Sequence, residues 1–265
     1  KQSFSTYWGM MDNIRVWNRS LSATEIRSNF RTNTNILFPF TSEVYSSLML
    51  SLSFDNSFSE LNPYHLGDWT NNSNPIFSSN ITPVNMTDQL YTTISSNQAL
   101  EFSGVGDYAA APSFSSIEAD GAFTMEAWVY MESHSGVTQR ILSKGTSLSS
   151  GYRMFISSSG SIITGVNSNG LSTNFPLPLR TWTHIAFTHS ATGVSRLYIN
   201  GSQHITSTIP LVLNNTDSLF IGGHPTEKNF NGYIDEVRIS KIEKTAQQIR
   251  DYMYTSIDRA NDLPG

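Results

Sequence analysis

The 265-residue chain has no cysteine and few charged residues. The absence of cysteine excludes a disulfide framework and a thiolate metal site. Charged residues make up 14% of the chain and the formal net charge is -5, so a nucleic-acid partner bound through its phosphates is not expected. The sequence also contains no apolar run approaching the ~18 residues of a membrane span, and we expect no membrane-spanning helix.

The residues that are abundant favour short strands and turns. The chain has 40 Ser and 25 Thr residues, and this composition, with many Asn, Gly and aromatic residues, is typical of β proteins. In residues 123–131 every second side chain is apolar, which predicts a half-buried strand. Asn200 and Gly201 predict a type I′ hairpin turn, because both tolerate a positive φ.

About a dozen short strands are predicted, and their number and spacing favour an antiparallel sandwich. Besides residues 123–131, the predicted strands lie near residues 48–54, 99–102, 107–112, 140–144, 152–157, 161–166, 182–188, 196–205, 218–221 and 232–239. A short helix is predicted at residues 244–253, where apolar side chains form one stripe. Residues 56–97 are rich in Asn, Ser, Thr and Pro and are predicted to form an irregular excursion.

The closing strand and helix have an earlier copy in the chain. With an offset of 223 residues, the two copies agree at Gly9 and Gly232, Asp12 and Asp235, Arg15 and Arg238, Ala23 and Ala246, Ile26 and Ile249, and Arg27 and Arg250. We therefore interpret residues 1–31 as the C-terminal strand and helix of a preceding repeat. Residues 32–47 are then a linker, residues 48–256 one whole domain, and residues 257–265 a tail or a further linker.

Six segments, in order, resemble laminin-G-like, concanavalin A-like jelly-roll domains. They are residues 98–108, 123–129, 182–187, 197–201, 221–223 and 232–239. The resemblance covers roughly residues 48–256. It implies an all-β fold, an antiparallel two-sheet jelly-roll sandwich in which the terminal strand lies beside the first, with a short C-terminal helix. Members of this superfamily are mostly extracellular or surface binding modules, some of them accessory domains of glycoside hydrolases, and a minority are glucanases.

No catalytic motif supports the glucanase alternative. Such enzymes need the spacing E-x-D-x-x-E on one strand, and Glu118-Ala119-Asp120 has no third carboxylate in register. No G-x-S-x-G or H-E-x-x-H sequence is present either. We therefore expect a non-enzymatic binding or assembly module. The alternative is an accessory carbohydrate-binding domain of a glycoside hydrolase or another carbohydrate-active enzyme.

Asp235 is the chemically unusual residue of the closing strand. If that strand is regular, Asp235 shares a face with Val237 and Ile239, and a carboxylate on an apolar face needs hydrogen-bond donors or a metal ion. Two interpretations stay open. Asp235 accepts hydrogen bonds from backbone amides, or it binds Ca²⁺ together with Asp55 and Asp107.

Three aromatic residues are candidates for stacking on a sugar ring. Trp128, Tyr130 and Tyr198 fall on the strand faces opposite the apolar set. The alternative is that they pack against the rest of the protein. On the closing strand, Glu236 and Arg238 share a face and are expected to form an exposed ion pair of little energetic weight.

Six glycosylation sequons stand at Asn18, Asn71, Asn80, Asn85, Asn200 and Asn214. About five would arise from the composition alone, so a glycoprotein and a chance occurrence both stay open. With the resemblance, these features predict a secreted or cell-surface module. Its expected partner is a glycan, an extracellular protein or, in a fibre or coat, other copies of itself.

Overall fold

The computed structural model describes residues 48–52, 70–72, 76–78, 99–113, 117–119, 121–145, 150–210, 216–225 and 229–254. The proposed N-terminal repeat piece, the linker before residue 48 and the tail from residue 257 lie outside these ranges. The described elements are β1 (Leu48–Leu52), β2 (Thr70–Asn72), β3 (Ile76–Ser78), β4 (Ala99–Ser103), β5 (Tyr108–Ala111), β6 (Phe123–Met131), β7 (Gln139–Lys144), β8 (Tyr152–Ile156), β9 (Ser161–Val166), β10 (Asn169–Pro176), β11 (Thr183–His189), β12 (Val194–Ile199), β13 (Ser202–Thr208), β14 (Leu219–Ile221), β15 (Asn231–Ser240) and the helix α1 (Ala246–Tyr252).

The strands form two antiparallel sheets. Sheet A has the order β13-β12-β11-β6-β15-β4-β3, and β1 also pairs with β15. Sheet B has the order β10-β9-β8-β7-β14-β5-β2. The predicted two-sheet sandwich is therefore confirmed. The terminal strand β15 does lie beside the first strand of the domain, with Leu52 opposite Val237.

One apolar core lies between the sheets. Met125, Ala127 and Val129 of β6 join Met154 and Ile156 of β8 in the same buried cluster. Alternate residues of a strand point to the same side of a sheet, so the pattern read in residues 123–131 correctly identified the inward positions. Burying one large apolar side chain contributes about 1.5–3 kcal/mol, and this core therefore holds the sheets together.

Three described strands lie where no strand was predicted. β2 and β3 fall inside residues 56–97, so the prediction of a wholly irregular segment there is wrong. β10 was missed because it is a polar edge strand, in which only two residues of eight are buried. Polar side chains on an edge strand protect its unpaired backbone groups from pairing with other chains. The same feature weakens the apolar alternation on which strand prediction depends.

The short helix α1 lies at the C-terminal end of the described residues. We call residues 241–254, which contain α1, the clasp. Thr245 and Gln248 form a capping box at the start of α1. A seven-residue helix is not stable alone in water, and its stability comes from packing Ile249 against Ala186 and Tyr198 of sheet A. None of the helices in the described part of the chain has the length and apolar character of a membrane span.

Candidate functional site

A bulge in β15 decides which side chains reach the outer face of sheet A, the side turned away from sheet B. Asp235 stands opposite Trp128 and Arg238 opposite Glu126, so β15 has one residue more than β6 between these pairs. Glu236, inside the bulge, has a φ of 49°. Asp235 Oδ1 accepts a hydrogen bond from the Glu236 N–H at 2.8 Å, which stabilises this left-handed conformation.

The bulge overturns the expected face of Asp235. Val237 and Ile239 belong to the core between the sheets, whereas Asp235 lies opposite Trp128 on the outer face. The prediction that Asp235 shares a face with Val237 and Ile239 is therefore wrong, because it assumed a regular strand. Asp235 is nevertheless buried, since the clasp packs on this side of the sheet.

The expected exposed ion pair is also buried. Arg238 Nη2 donates to Glu236 Oε2, and Arg238 Nη1 donates to the Tyr252 carbonyl oxygen at 2.8 Å. Both charged side chains are almost completely shielded from solvent. The prediction of a surface pair is wrong, because the sequence alone does not show that the clasp covers this part of β15. The pair instead connects β15 to the end of α1.

A second ion pair lies beside it under the clasp. Lys244 Nζ donates to Glu126 Oε1, and His184 Nε2 lies 3.7 Å from Glu126 Oε2. Burial raises the pKa of Glu126, but the nearby Lys244, His184 and Arg238 outweigh it and hold the pKa at about 2. Burial lowers the pKa of His184 to about 4 despite the attraction of Glu126. His184 is therefore neutral at physiological pH, and Glu126 is paired with Lys244.

Two of the three predicted sugar-stacking residues are covered. Trp128 is 4% exposed and donates its Nε1–H to the Met253 carbonyl oxygen at 2.6 Å. Tyr198 is 3% exposed and packs against Ile249 of α1. The prediction that Trp128 and Tyr198 stack on a sugar is therefore wrong, because the clasp occupies the space above both rings. Their structural role is to bind the clasp to sheet A.

Tyr130, the third predicted residue, lies in a partly exposed row of aromatic rings. Its ring centroid is 5.7 Å from that of Trp182 and 5.7 Å from that of Tyr233. Trp128 continues the row to Tyr254, with their centroids 5.4 Å apart, and Trp128 and Trp182 belong to one packed cluster. We call these five rings the aromatic row. Tyr130, Trp182 and Tyr254 retain solvent exposure.

Polar groups surround the exposed end of the aromatic row. Tyr233 hydrogen-bonds Glu101, and its hydroxyl has a raised pKa because of burial, with Glu101 and Glu132 adding to the effect. Arg180 Nε donates to Glu132 Oε2 at 3.2 Å. Trp182 Nε1 is buried and has no hydrogen-bond partner within the described ranges. Aromatic faces beside carboxylates and free N–H groups can bind a polyhydroxylated ligand through stacking and hydrogen bonds.

Of the three exposed rings in the row, the sequence identified Tyr130 and missed Trp182 and Tyr254. Tyr233, which is buried, stands opposite Tyr130 and therefore lies on the same face of sheet A. Trp182 was included in the predicted strand at residues 182–188, whereas β11 begins at Thr183, and Tyr254 follows α1. A signal for Trp182 was available, since Thr183 pairs with Val129 and continuing this register brings Trp182 opposite Tyr130 of β6.

The three proposed calcium ligands are not seen together. Asp55 lies outside the described residues. Asp107 Oδ2 accepts the Ser103 N–H at 2.7 Å, and Ser103 stands opposite Asn231, four residues from Asp235 on β15. Four residues of a strand span roughly 13 Å, so Asp107 and Asp235 are not neighbours. Within the described ranges no group of three or more His, Cys, Asp or Glu side chains could hold a metal ion. Calcium binding stays a prediction.

Two of the six sequons fall on described residues. Asn71 lies in β2. Asn200 is exposed at the hairpin between β12 and β13, where Asn200 and Gly201 have φ angles of 49° and 73°. The predicted turn with two positive φ angles is therefore confirmed. Asn200 Oδ1 accepts the His184 N–H at 2.9 Å. Glycosylation stays a prediction, and Asn18, Asn80, Asn85 and Asn214 lie outside the described residues.

Comparison with known proteins identifies the fold. A family model described as the concanavalin A-like lectin/glucanases superfamily matches residues 103–250. No curated protein sequence matches this chain.

Among solved structures, the chain is similar to domain 4 of AbnA, an extracellular arabinanase of family GH43 from Geobacillus stearothermophilus, in complex with arabinotriose. The identity is 20% and the TM-score 0.59, with 77% of this chain and 97% of that one covered. It is also similar to the binding domain of botulinum neurotoxin serotype D, with 16% identity, a TM-score of 0.57, and 80% and 52% coverage. The chain is similar as well to the receptor-binding domain of botulinum neurotoxin type G. The identity is 18% and the TM-score 0.55, with 78% of this chain and 51% of that one covered. This chain thus spans about half of the toxin domains, and these likenesses concern the fold.

Proposed function

The chain belongs to the concanavalin A-like lectin/glucanases superfamily, and from that premise we propose that it is a non-catalytic carbohydrate-binding module of an extracellular or cell-surface protein. The observation that carries the proposal is the aromatic row at the surface of sheet A. Tyr130 and Trp182 are partly exposed, with ring centroids 5.7 Å apart and planes tilted by 56° to each other. The C–H groups of a sugar ring pack on such faces, while its hydroxyl groups need polar partners.

The polar groups at the row are suited to sugar hydroxyls. Glu132 and Glu101 can accept hydrogen bonds, and Arg180 can donate them. Trp182 Nε1 is buried and has no acceptor among the described residues, and the hydroxyl oxygen of a sugar that displaces the atoms covering it would supply one. Leaving a buried donor unpaired costs about 1–3 kcal/mol. A ligand that accepts from Trp182 would recover that free energy on binding.

The first ligand to test is a neutral oligosaccharide. Arabinotriose is bound in the complex of the similar arabinanase domain, so we choose it as the initial probe, together with an array of neutral glycans. We expect Tyr130→Ala to weaken binding of any glycan found by about 3–10-fold, because aromatic contacts contribute about 0.5–1.5 kcal/mol and 1.4 kcal/mol is tenfold. Isothermal titration calorimetry measures this change.

The matched control removes an aromatic ring elsewhere. Phe175 is partly exposed and packs against His204 at the edge strands β10 and β13. Phe175→Ala should leave glycan affinity unchanged. The proposal fails if no glycan binds, or if Tyr130→Ala and Phe175→Ala have equal effects.

A second candidate function is assembly of tandem domains of this fold. Several residues of β15 and α1 have structural roles in this domain, and the same residue types recur in the earlier copy at residues 9–30. This recurrence favours the second candidate. Gly232 has a φ of 144°, and a Cβ there would stand 2.0 Å from the Tyr130 carbonyl oxygen. Arg238 connects β15 to α1. Gly9 and Arg15 supply the same residue types at the corresponding positions.

Two further correspondences support the same candidate. Ser22 and Glu25 match the capping-box residues Thr245 and Gln248 at the same offset. Asn13 takes the position of the bulge residue whose φ is positive, and asparagine tolerates that conformation better than most residues. Residues 9–30 therefore carry what a closing strand and clasp of another such domain would need.

Deleting residues 1–31 tests assembly. We expect the full chain to self-associate in sedimentation velocity runs and the truncated chain to be monomeric. Equal sedimentation of both would exclude assembly through this segment. The accessory-domain alternative predicts a catalytic domain elsewhere in the full gene product, and sequencing the flanking coding regions checks it directly.

A further inference from the structure

Two arginines lie buried on the outer face of sheet B, the side turned away from the core. Arg140 stands opposite Phe155, and Arg153 stands opposite Ser143, in the ladder between β7 and β8. Arg140 is 0% exposed and Arg153 is 6% exposed. The two arginines are therefore diagonal neighbours across the ladder, a relation in which side chains stand roughly 7–8 Å apart, and both lie on one face.

The Arg140 guanidinium is fixed by contacts on one side, while part of its N–H groups make no hydrogen bond to any described residue. Its Nη1 donates to Ser143 Oγ at 2.5 Å and to the Gly145 carbonyl oxygen at 2.9 Å. Its Cζ lies 5.1 Å from the ring centroid of Phe155 and 5.5 Å from that of Phe220. The remaining donors, Nε and Nη2, have no hydrogen-bond partner among the described residues. These two N–H groups form one edge of the planar guanidinium, which is the edge that binds a carboxylate bidentately.

Arg153 is also incompletely paired. Its Nη2 donates to the Asn169 carbonyl oxygen at 3.2 Å, and its Nη1 has no partner in the part of the chain that the structure describes. The ladders place Gly165 opposite Arg153 and Gly170 opposite Gly165. Sheet B has no side chain at these two positions, and the Arg153 guanidinium lies against Gly170, where a Cβ would stand 3.3 Å from Nη2. Gly170 is exposed, and this is the side from which a ligand can approach.

No acidic side chain of the described residues balances these charges. Burial is the cause that lowers the pKa of Arg140 to about 10, and burial likewise lowers that of Arg153, with no carboxylate opposing it. The carboxylates of Glu118 and Asp217 instead favour the charged form of Lys144, because their attraction raises its pKa against the effect of burial. Lys144 follows Ser143 in β7, so its side chain leaves on the opposite side of the sheet.

A buried charge without a counter-charge is costly, and proteins ordinarily pair it. From the unused N–H groups of Arg140 and Arg153 we infer that this face of sheet B binds an oxyanion, a carboxylate or sulfate group carried by a ligand. The planar guanidinium edge matches such a group better than it matches a neutral hydroxyl. This site lies on the other sheet from the aromatic row and does not depend on the proposed neutral-glycan binding.

Thermal unfolding in the presence of chosen anions tests the inference. The probes are sodium sulfate, glucuronic acid and, as a neutral counterpart, glucose, each at the same ionic strength set with sodium chloride. We expect the unfolding midpoint to rise by about 3–6 °C at an anion concentration ten times its Kd, and glucose to have no effect. A response to glucuronic acid identifies a sugar-borne carboxylate, whereas a response to sulfate alone identifies a small inorganic anion.

Two substitutions assign the effect to the arginines. Arg140→Met and Arg153→Gln should each remove most of the anion-dependent rise, and Phe175→Ala should retain it. Arg140→Lys keeps the positive charge without the planar edge and should retain less than half of the rise. The inference is overturned if neither anion shifts the midpoint of the wild type, or if the shift persists in both Arg140→Met and Arg153→Gln. Arg153 is slightly exposed, so Arg153→Gln should still fold. This variant therefore allows the test if Arg140→Met does not fold.

Discussion

Buried cationic side chains lie on the outer faces of both sheets, but only those on sheet A are paired with carboxylates of the described residues. On sheet A, Arg238 and Lys244 are paired with Glu236 and Glu126 beneath the clasp. On sheet B, Arg140 and its neighbour retain unused donors, and no described carboxylate faces them. A buried cation that the chain itself neutralises is part of the structure. A buried cation that it does not neutralise is better explained by a ligand.

The largest expected effect comes from removing a paired cation. Arg238→Met leaves Glu236 buried without its partner, and we expect the free energy of unfolding to fall by about 3–5 kcal/mol. Arg140→Met, assayed without added anion, removes an unpaired cation and should leave the free energy of unfolding unchanged or higher. Urea denaturation of both variants measures the difference. Equal losses in the two variants would remove the distinction between the faces.

A smaller effect is expected from acid at the buried groups next to the clasp. The pKa of His184 is about 4 in the folded protein against 6.5 ordinarily, so the unfolded chain binds more protons between these values and stability falls as the pH is lowered from 6.5 to 4. The pKa of Glu126 is about 2 against 4.5. Its contribution is present above pH 4.5 and is lost as the pH falls from 4.5 towards 2.

His184→Gln separates the two steps. We expect this variant to lose the share of the pH dependence that His184 contributes between 6.5 and 4, to keep the share of His189, whose pKa burial also lowers, and to keep the dependence below 4.5. The slope of unfolding free energy against pH measures each change. His204→Gln, at an exposed position on β13, serves as the control and should follow the wild-type profile. If His184→Gln retains the full slope, the buried pair of Glu126 and His184 does not cause the acid sensitivity.

The smallest effect concerns calcium, which stays a prediction. Asp107 caps its own turn through the Ser103 N–H, and Asp235 lies under the clasp. If calcium binds at Asp107, an excess of about ten times its Kd should stabilise the fold by about 1.4 kcal/mol. Midpoints in calcium and in EDTA, compared between wild type and Asp107→Asn, measure it. Identical midpoints would leave Asp107 a purely structural residue.

Prediction from the sequence succeeded where a residue's environment depends on its near neighbours. The alternation in β6 identified its inward residues, and Asn200-Gly201 identified a hairpin. Prediction failed at Glu236, since an inserted bulge residue leaves no periodic trace. It also failed for Trp128, because a helix more than a hundred residues later in the chain covers that ring.

The sequence by itself determined the fold of this protein. Apolar alternation and turn residues are local properties that specify strands, and the six family-like segments in their order specify a sandwich. Only the tertiary structure decided which outward side chains are accessible. Tyr130 stays at the surface and Tyr198 does not, although both occupy outward strand positions. Arg238 meets a carboxylate and Arg140 does not. Burial and pairing depend on what packs above each position, and that is set by long-range contacts which no short pattern contains.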